Sequence, residues 1–218
     1  MASVAEHLRP NLHTYLVAHS TPEDPLLAEL AAETAQRYPE YTGMQIGPEQ
    51  GLFMTMLAQV MGARRAVEVG TFTGYSSVCI ARGLADGGLL TCCDISEDWT
   101  SVARSYWQKA GLEDRVELRL GPAIDTLRAM PAAPMFDLAF IDADKPGYIG
   151  YWDEIVPRMR SGGVILVDNT FMHGRIFEPQ PDESAQAIKE FNDYAFADKR
   201  VDLVMLPVGD GLTMAHTR

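Results

Sequence analysis

The sequence has few cysteines, no surplus of positive charge and no long apolar run, and each shortage excludes a class of protein. Its three cysteines, Cys79, Cys92 and Cys93, form no CxxC pattern, which argues against a disulfide scaffold and predicts reduced, packed thiols. The 30 acidic and 18 basic residues give a formal net charge of −12, which opposes binding to nucleic acid or to an anionic membrane. Because no membrane-spanning run and no secretion signal is present, we expect a cytoplasmic protein.

The composition and the order of patterns predict one α/β domain with helices in front of it. Hydrophobic residues make up 47% of the 218, which suffices for a well-filled core. Apolar residues at helical spacing predict helices over 3–19, 24–37 and 48–62, ahead of any strand. We therefore divide the chain into N-terminal helices over 1–62, which would form a lid or an interface layer, and an α/β core over 63–218.

From residue 65 onward, short apolar runs alternate with helical patterns, as is typical of a parallel sheet with crossover helices. The predicted strands are 65–69, 88–93, 115–119, 136–141 and 163–167. The predicted helices are 74–85, 97–110, 121–129, 146–159 and 183–197. Two further apolar stretches, 201–207 and 211–216, predict an antiparallel pair that closes the edge of the sheet.

The first strand leads into a glycine turn, VEVGTFTGYSS, that allows close approach of the backbone to a ligand. Gly70 and Gly74 bracket the turn, but the GxGxxG spacing that cradles a pyrophosphate is absent, which argues against a dinucleotide. Glu68 would repel a phosphate and attract an ammonium group. Asp94, which ends the second strand, can accept hydrogen bonds from ribose hydroxyls, and Ser96 can cap the next helix and leave Asp94 free. S-adenosylmethionine (SAM), a positively charged nucleoside without phosphate, fits this pattern.

Two later strands end in polar side chains that suit a hard metal ion. Asp142, Asp144 and Lys145 follow the fourth strand, and Asp168 and Asn169 follow the fifth. If these strands are neighbours, their carboxylate and amide oxygens meet at one edge of the sheet, where Mg²⁺ would find oxygen ligands. The plainer alternatives are an exposed loop with a local Asp–Lys pair and an Asx-type turn.

Five motifs, in this order and spacing, resemble the cation-dependent O-methyltransferases of the caffeoyl-CoA and catechol O-methyltransferase type, in the bacterial small-molecule branch. They are VEVGTFTGYSS, CDIS, FIDADKPGYIGYW, GGVILVDNT and LPVGDGLT. The match covers nearly everything from Met44 onward. The resemblance implies a class I, Rossmann-like methyltransferase fold with a seven-stranded, mostly parallel sheet and a C-terminal antiparallel strand. It also implies a homodimer.

The resemblance further implies which residues form the site. The metal ligands would be Asp142, Asp168 and Asn169, with Mg²⁺, Mn²⁺ or Ca²⁺ as the metal. The cofactor-binding residues would be Ile46, Glu68, Gly70, Thr71, Ser76, Asp94, Ala123 and Asp144. Ile46 stands where the family can have Thr, so only backbone or apolar contact remains there. His173 stands where the plant branch has a substrate-contacting Asn, and we expect it to contact the substrate.

Lys145 is the expected catalytic base. A substrate with two adjacent hydroxyls would chelate the metal, which lowers the pKa of the bound hydroxyl, and Lys145 could take the proton if desolvation lowers its own pKa. The expected acceptor is a small ortho-diphenol, with Tyr148, Trp152, Phe171 and Phe177 as candidates to line its pocket. Two alternatives stay open: a same-fold O-methyltransferase for a carrier-bound hydroxyacyl group, and an NAD-dependent dehydrogenase, which the missing GxGxxG disfavours.

Overall fold

A computed structural model describes residues 14–218 of the chain. Residues 14–18 are helical, and the rest of the helix expected over 3–19 lies outside the described residues, apart from 19, which lies in a turn. The later helices are α1 (Pro25–Arg37), α2 (Pro48–Met61), α3 (Tyr75–Gly83), α4 (Glu97–Lys109), α5 (Ala123–Ala129), α6 (Tyr148–Ile155) and α7 (Glu183–Ala197). Short 3₁₀ helices cover Pro39–Met44, Glu113–Arg115, Lys145–Gly147, Val156–Arg158 and Met172–Phe177. None of the helices in this part of the chain is long and apolar enough to cross a membrane.

Seven strands form one sheet in the order β3-β2-β1-β4-β5-β7-β6. They are β1 (Arg65–Val69), β2 (Leu89–Asp94), β3 (Val116–Leu120), β4 (Phe136–Ile141), β5 (Met159–Val167), β6 (Val201–Leu206) and β7 (Leu212–Thr217). The strands β1 to β5 pair in parallel, and β7 is antiparallel to both of its neighbours, β5 and β6. The expected seven-stranded, mostly parallel sheet with a C-terminal antiparallel strand is therefore confirmed.

The fifth strand begins earlier than the sequence predicted. The expected helix over 146–159 stops at Ile155, a 3₁₀ turn containing Pro157 follows, and β5 already begins at Met159. Its first residues leave the regular pairing: Phe136 of β4 faces Met159, but Leu138 faces Val164, so extra residues of β5 loop out. The sequence pattern did not predict this early start of β5, because the first residues of the strand are bulged and partly exposed and so show no apolar alternation.

The N-terminal helices pack on the helices that follow the first two strands. A buried hydrogen bond joins Thr34 of α1 to Thr73 of the glycine turn, with 2.8 Å between the two hydroxyl oxygens. The phenol of Tyr106 in α4 donates to Glu33 of α1 at 2.8 Å. These contacts hold the N-terminal layer over the carboxyl ends of β1 and β2, where parallel sheets place their ligands.

Candidate active site

A cavity of about 720 Å³ opens where β1, β2, β4 and β5 end. Its volume lies in the range of small-molecule sites. Of the site residues expected from the sequence, those that line it are Ile46, Gly70, Thr71, Ser76, Asp94, Ala123, Asp142, Asp144, Lys145, Asn169 and His173. Glu68 and Asp168, which are both buried, do not line it. The fold thus gathers residues from positions 46 to 173 around one space.

The glycine turn is as tight as expected, because neighbouring backbone leaves no room for side chains. Gly70 has a φ of 89°, and a Cβ placed on it would lie 1.9 Å from the backbone oxygen of Asp142. Gly74 has a φ of 93°, and its Cβ would lie 2.7 Å from the Cβ of Ala103 in α4. These conformations and contacts are open to glycine and strained for any other residue. The turn therefore brings the ends of β1 and β4 into direct contact.

Asp94 shapes this turn and is not free, contrary to expectation. Its Oδ2 accepts hydrogen bonds from the backbone N–H groups of Thr71 and Phe72, each at 2.9 Å. Its Oδ1 accepts one from Ser96 N at 2.8 Å, while the Ser96 hydroxyl caps α4 by accepting from Trp99 N, as predicted. Because a carboxylate offers about four acceptor positions, Oδ1 retains capacity for one more donor in the cavity.

Glu68 lies beneath the cavity and not on its wall. Strand alternation turns its side chain to the sheet face that also carries Cys92 and Phe140, its neighbours in register on β2 and β4. It is fully buried, and its Oε2 accepts a weak hydrogen bond from the Cys92 thiol at 3.3 Å. This burial raises the pKa of the Glu68 carboxyl from 4.5 to about 7. Glu68 therefore lies just below the wall of the ligand-free cavity, and its contact with the cofactor stays a prediction.

Lys145 joins the ends of β4 and β5. Its Nζ donates to Asp142 Oδ1 at 2.9 Å, to Asn169 Oδ1 at 2.6 Å and to the Tyr148 hydroxyl at 2.7 Å. All three protons of the ammonium group are therefore used. The prediction that β4 and β5 are neighbours is confirmed, and two of the expected metal-ligand oxygens converge on one cationic nitrogen. The exposed-loop alternative is excluded because Lys145 and Asp142 side chains are 15% and 17% exposed.

Asp168 is buried beside this cluster. It is 3% exposed, and its Oδ1 accepts a hydrogen bond from Asn169 N at 2.7 Å. Burial, and then the charge of Asp142, raise the pKa of the Asp168 carboxyl from 3.8 to about 7. Lys145 balances one of these two carboxylate charges, and the second remains unbalanced in a buried place, which is costly. Among residues 14–218, no group of three or more His, Cys, Asp or Glu side chains could hold a metal, so a metal here would need the Asn169 amide.

Backbone strain concentrates on this cavity. In the described part of the chain four non-glycine residues have a positive φ: Phe72, Asn169, Met172 and His173, at 51°, 57°, 46° and 53°. All four line the cavity. Left-handed backbone at such residues costs on the order of 1–3 kcal/mol each and persists where surrounding contacts enforce it.

The strain at His173 is held by the loop between β6 and β7. His173 N donates to Asp210 Oδ1 at 2.6 Å, and Phe171 N donates to the Asp210 backbone oxygen at 3.0 Å. The His173 side chain itself is 74% exposed and lies 3.4 Å from the same carboxylate. The backbone of His173 is therefore fixed, while its imidazole projects from the rim of the cavity.

Comparison with known proteins identifies the family of this chain. Residues 17–218 match the model of a family described as O-methyltransferase. The chain is 36% identical over 205 residues to "Probable caffeoyl-CoA O-methyltransferase 1" of Dictyostelium discoideum, covering 92% of this chain and 89% of that protein. The chain belongs to the O-methyltransferase family of the caffeoyl-CoA and catechol type. The enzyme class expected from its motifs is thereby confirmed.

Solved structures of O-methyltransferases share this fold. The Bacillus cereus O-methyltransferase in complex with SAH has a TM-score of 0.84 and 34% identity, over 94% of this chain and 96% of that one. The O-methyltransferase TomG from Streptomyces achromogenes, in complex with SAM, has a TM-score of 0.85 and 28% identity, over 99% of each chain. Membership of this family excludes the alternative of an NAD-dependent dehydrogenase.

The aromatic lining of this O-methyltransferase differs from the expected one. The four aromatic residues expected at the acceptor pocket do not line the cavity: Tyr148 and Trp152 are fully buried, Phe171 packs on Gly211 and Phe177 is 78% exposed. The aromatic residues that do line it are Phe72, Tyr75, Trp99 and Tyr151. Helical periodicity predicts which positions are buried in the fold, but it does not predict which of them face a cavity.

Tyr151 lines the cavity beside an expected site residue, and the sequence had not indicated it. Its hydroxyl donates to Asp144 Oδ1 at 2.5 Å, and both side chains line the cavity. Asp144 and Tyr151 are seven residues apart, which is two helical turns, and that spacing was the available signal. It was obscured because a 3₁₀ turn, Lys145–Gly147, separates Asp144 from α6.

Proposed function

We propose that this enzyme is a SAM-dependent, divalent-metal-dependent O-methyltransferase that methylates one hydroxyl of a small catechol, and that it acts as a homodimer. The observation that carries the proposal is the convergence of Asp142 Oδ1 and Asn169 Oδ1 on the Lys145 ammonium at 2.9 and 2.6 Å. A base and two hard oxygen ligands thus meet in a cavity that Asp94 and the glycine turn also line.

The cofactor end of the cavity fits SAM. Asp94 keeps an acceptor position open for a ribose hydroxyl, and the glycine turn allows the backbone to approach a nucleoside closely. Glu68 carries a buried Oε1 without a hydrogen-bond partner just beneath this end, which favours a positively charged ligand above it. The two solved relatives that hold SAM or SAH support the same assignment. SAM, when bound, supplies an electrophilic methyl group.

The other end fits a divalent cation. The oxygens of Asp142 and Asn169 already converge on a single positive charge, and Asp168 adds a buried negative charge beside them. Carboxylate and amide oxygens suit Mg²⁺, Mn²⁺ or Ca²⁺, and zinc is disfavoured because no His or Cys joins the set. We therefore assign Asp142, Asp168 and Asn169 as its ligands. A divalent cation, when bound, lowers the pKa of a catechol hydroxyl.

Lys145 is the group in this cavity that can take the hydroxyl proton. Its Nζ lies between the proposed ligand oxygens, so a hydroxyl placed near those oxygens would also lie near Nζ. Lys145 in its neutral form accepts the proton, and the acceptor oxygen left behind is the nucleophile. Phe72, Trp99 and Tyr151 add aromatic surface to the wall of the same cavity.

The test is methyl transfer from labelled SAM to a panel of 3,4-dihydroxyphenyl compounds, with Mg²⁺ and with EDTA. We expect transfer that EDTA abolishes and Mg²⁺, Mn²⁺ or Ca²⁺ restores. Monohydroxyphenyl analogues of the same compounds are the matched controls, since they lack the second oxygen for chelation.

Each other outcome removes a defined part of the proposal. Transfer that survives EDTA would show that Asp142, Asp168 and Asn169 serve the structure and not a metal. Equal transfer to the monohydroxyphenyl controls would exclude chelation by two hydroxyls. If no diol is methylated, the acceptor is of another kind, such as a hydroxyacyl group on a carrier protein.

A further inference from the structure

Tyr148 is a buried phenol held rigidly at the start of α6. It is 0% exposed, and its ring packs edge-on against Phe191 of α7 with 5.5 Å between ring centroids. It does not line the cavity. Because the ring lies outside the cavity, neither the acceptor nor the cofactor would touch it. Tyr148 can therefore affect the reaction only through the hydrogen bonds of its hydroxyl.

The Tyr148 hydroxyl connects Lys145 to the end of β5. It accepts a hydrogen bond from Lys145 Nζ at 2.7 Å and donates one to the backbone oxygen of Asp168 at 3.3 Å. The Tyr148 oxygen therefore offers a lone pair to Lys145 Nζ, while the phenol proton is directed at the backbone oxygen of Asp168.

The three acceptors around Lys145 Nζ are not equivalent. Asp142 and Asn169 are proposed cation ligands, so a cation would compete with the ammonium for their oxygens. The Tyr148 oxygen is the acceptor that no other part of the mechanism needs. We propose that Tyr148 is a positioning residue. It holds Lys145 Nζ in place for proton transfer when the oxygens of Asp142 and Asn169 bind the cation. This inference rests on the proposed role of Lys145 as the base.

The test is a double-mutant cycle of Tyr148→Phe and Lys145→Met on the full-length enzyme, measured with saturating SAM, Mg²⁺ and acceptor. The Phe variant keeps the packed ring and removes only the hydroxyl. We expect Tyr148→Phe to lower kcat about tenfold, a part of the 10²–10⁴-fold that a general base supplies. The affinity for SAM and the KM for the acceptor should stay unchanged. In the Lys145→Met background the same change should alter kcat less than about twofold, since the group that it positions is gone.

Tyr194 serves as the matched control for the loss of a tyrosine hydroxyl. Tyr194→Phe removes an exposed hydrogen bond to Asp153 on the surface, of 2.7 Å, and should leave both kcat and KM unchanged. Melting temperatures of all variants report whether the fold is retained.

The outcomes separate the two proposals. If Tyr148→Phe lowers kcat by the same factor with and without Lys145, the hydroxyl acts on something other than Lys145, and this inference is wrong while the base assignment stands. If Tyr148→Phe changes KM values and not kcat, the positioning role is also excluded. If Lys145→Met turns over as fast as wild type, the base assignment itself fails.

Discussion

The two ends of the cavity are built in different ways. At the cofactor end, the Asp94 carboxylate holds three backbone N–H groups, and Gly70 and Gly74 set the course of the chain. At the acceptor end, where we propose that the cation and the acceptor bind, the Lys145 ammonium holds side-chain oxygens that follow β4 and β5 and one from α6, all within 2.9 Å. The cofactor end is built mainly by a single turn. The acceptor end forms only where segments that are distant in the chain meet.

This difference separates binding from turnover. A backbone turn offers fixed groups whose geometry changes little on ligand binding, which suits the recognition of a cofactor. A cluster of side chains around an ammonium can exchange partners, which suits a step in which a proton moves. Variants at the cofactor end should therefore mainly weaken SAM binding, and variants at the acceptor end should mainly lower kcat.

The largest contrast compares Lys145→Met with Asp94→Ala. Lys145→Met should lower kcat by a factor on the order of 10²–10⁴ with the SAM dissociation constant unchanged. Asp94→Ala should weaken SAM binding by about 10–100-fold, since it removes a charged acceptor, with less effect on kcat at saturating SAM. Calorimetric SAM titration and single-turnover rates measure the two quantities separately.

The control for the cofactor end is Ser96→Ala. It removes the cap of α4 and leaves Asp94 in place, so it should lower stability by about 1 kcal/mol without changing SAM affinity. Equal losses of kcat and of SAM affinity in both Lys145→Met and Asp94→Ala would contradict the division of the cavity into two ends.

The buried Glu68 carboxyl beneath the cofactor end should make the stability of the protein depend on pH. Its pKa is raised from 4.5 to about 7, so between these values the folded ligand-free protein binds a proton that the unfolded chain does not. The free energy of unfolding should therefore fall as the pH rises through this window, by about 3 kcal/mol from this group. Urea unfolding at pH 5, 6 and 7, compared with Glu68→Gln, should show a smaller fall in the variant. Identical slopes would mean that Glu68 is ionised throughout.

The smallest effect is expected at the rim of the acceptor end. His173→Ala should raise the KM for the acceptor by less than about fivefold and leave kcat within about twofold, since an exposed polar contact contributes up to about 1 kcal/mol. Asp210→Ala is the matched comparison, because it releases the His173 backbone N–H. It should reduce acceptor binding more than His173→Ala does. If His173→Ala has the larger effect, the imidazole and not the loop backbone recognises the acceptor.

Most of the fold could be predicted from local pattern. β1 and β4 begin and end at the predicted residues, and α7 covers the predicted 183–197. The glycine turn and the strand-end residues Asp94, Asp142 and Asn169 were also predictable, because ligands of a parallel sheet lie at the carboxyl ends of its strands. The start of β5 was missed because the bulge after Met159 has no periodic signature.

The sequence alone determined which residues are chemically suited to the reaction and on which strand end each one lies. Only the tertiary structure decided which of them face the cavity. It placed Glu68 and Asp168 beneath the surface, and it replaced the expected aromatic wall. It also set Tyr148 behind Lys145 and Tyr151 beside Asp144. The physical reason is that residue type and period are local properties. Burial and hydrogen-bond partners depend on segments far apart in the chain, and these meet only when the sheet has formed.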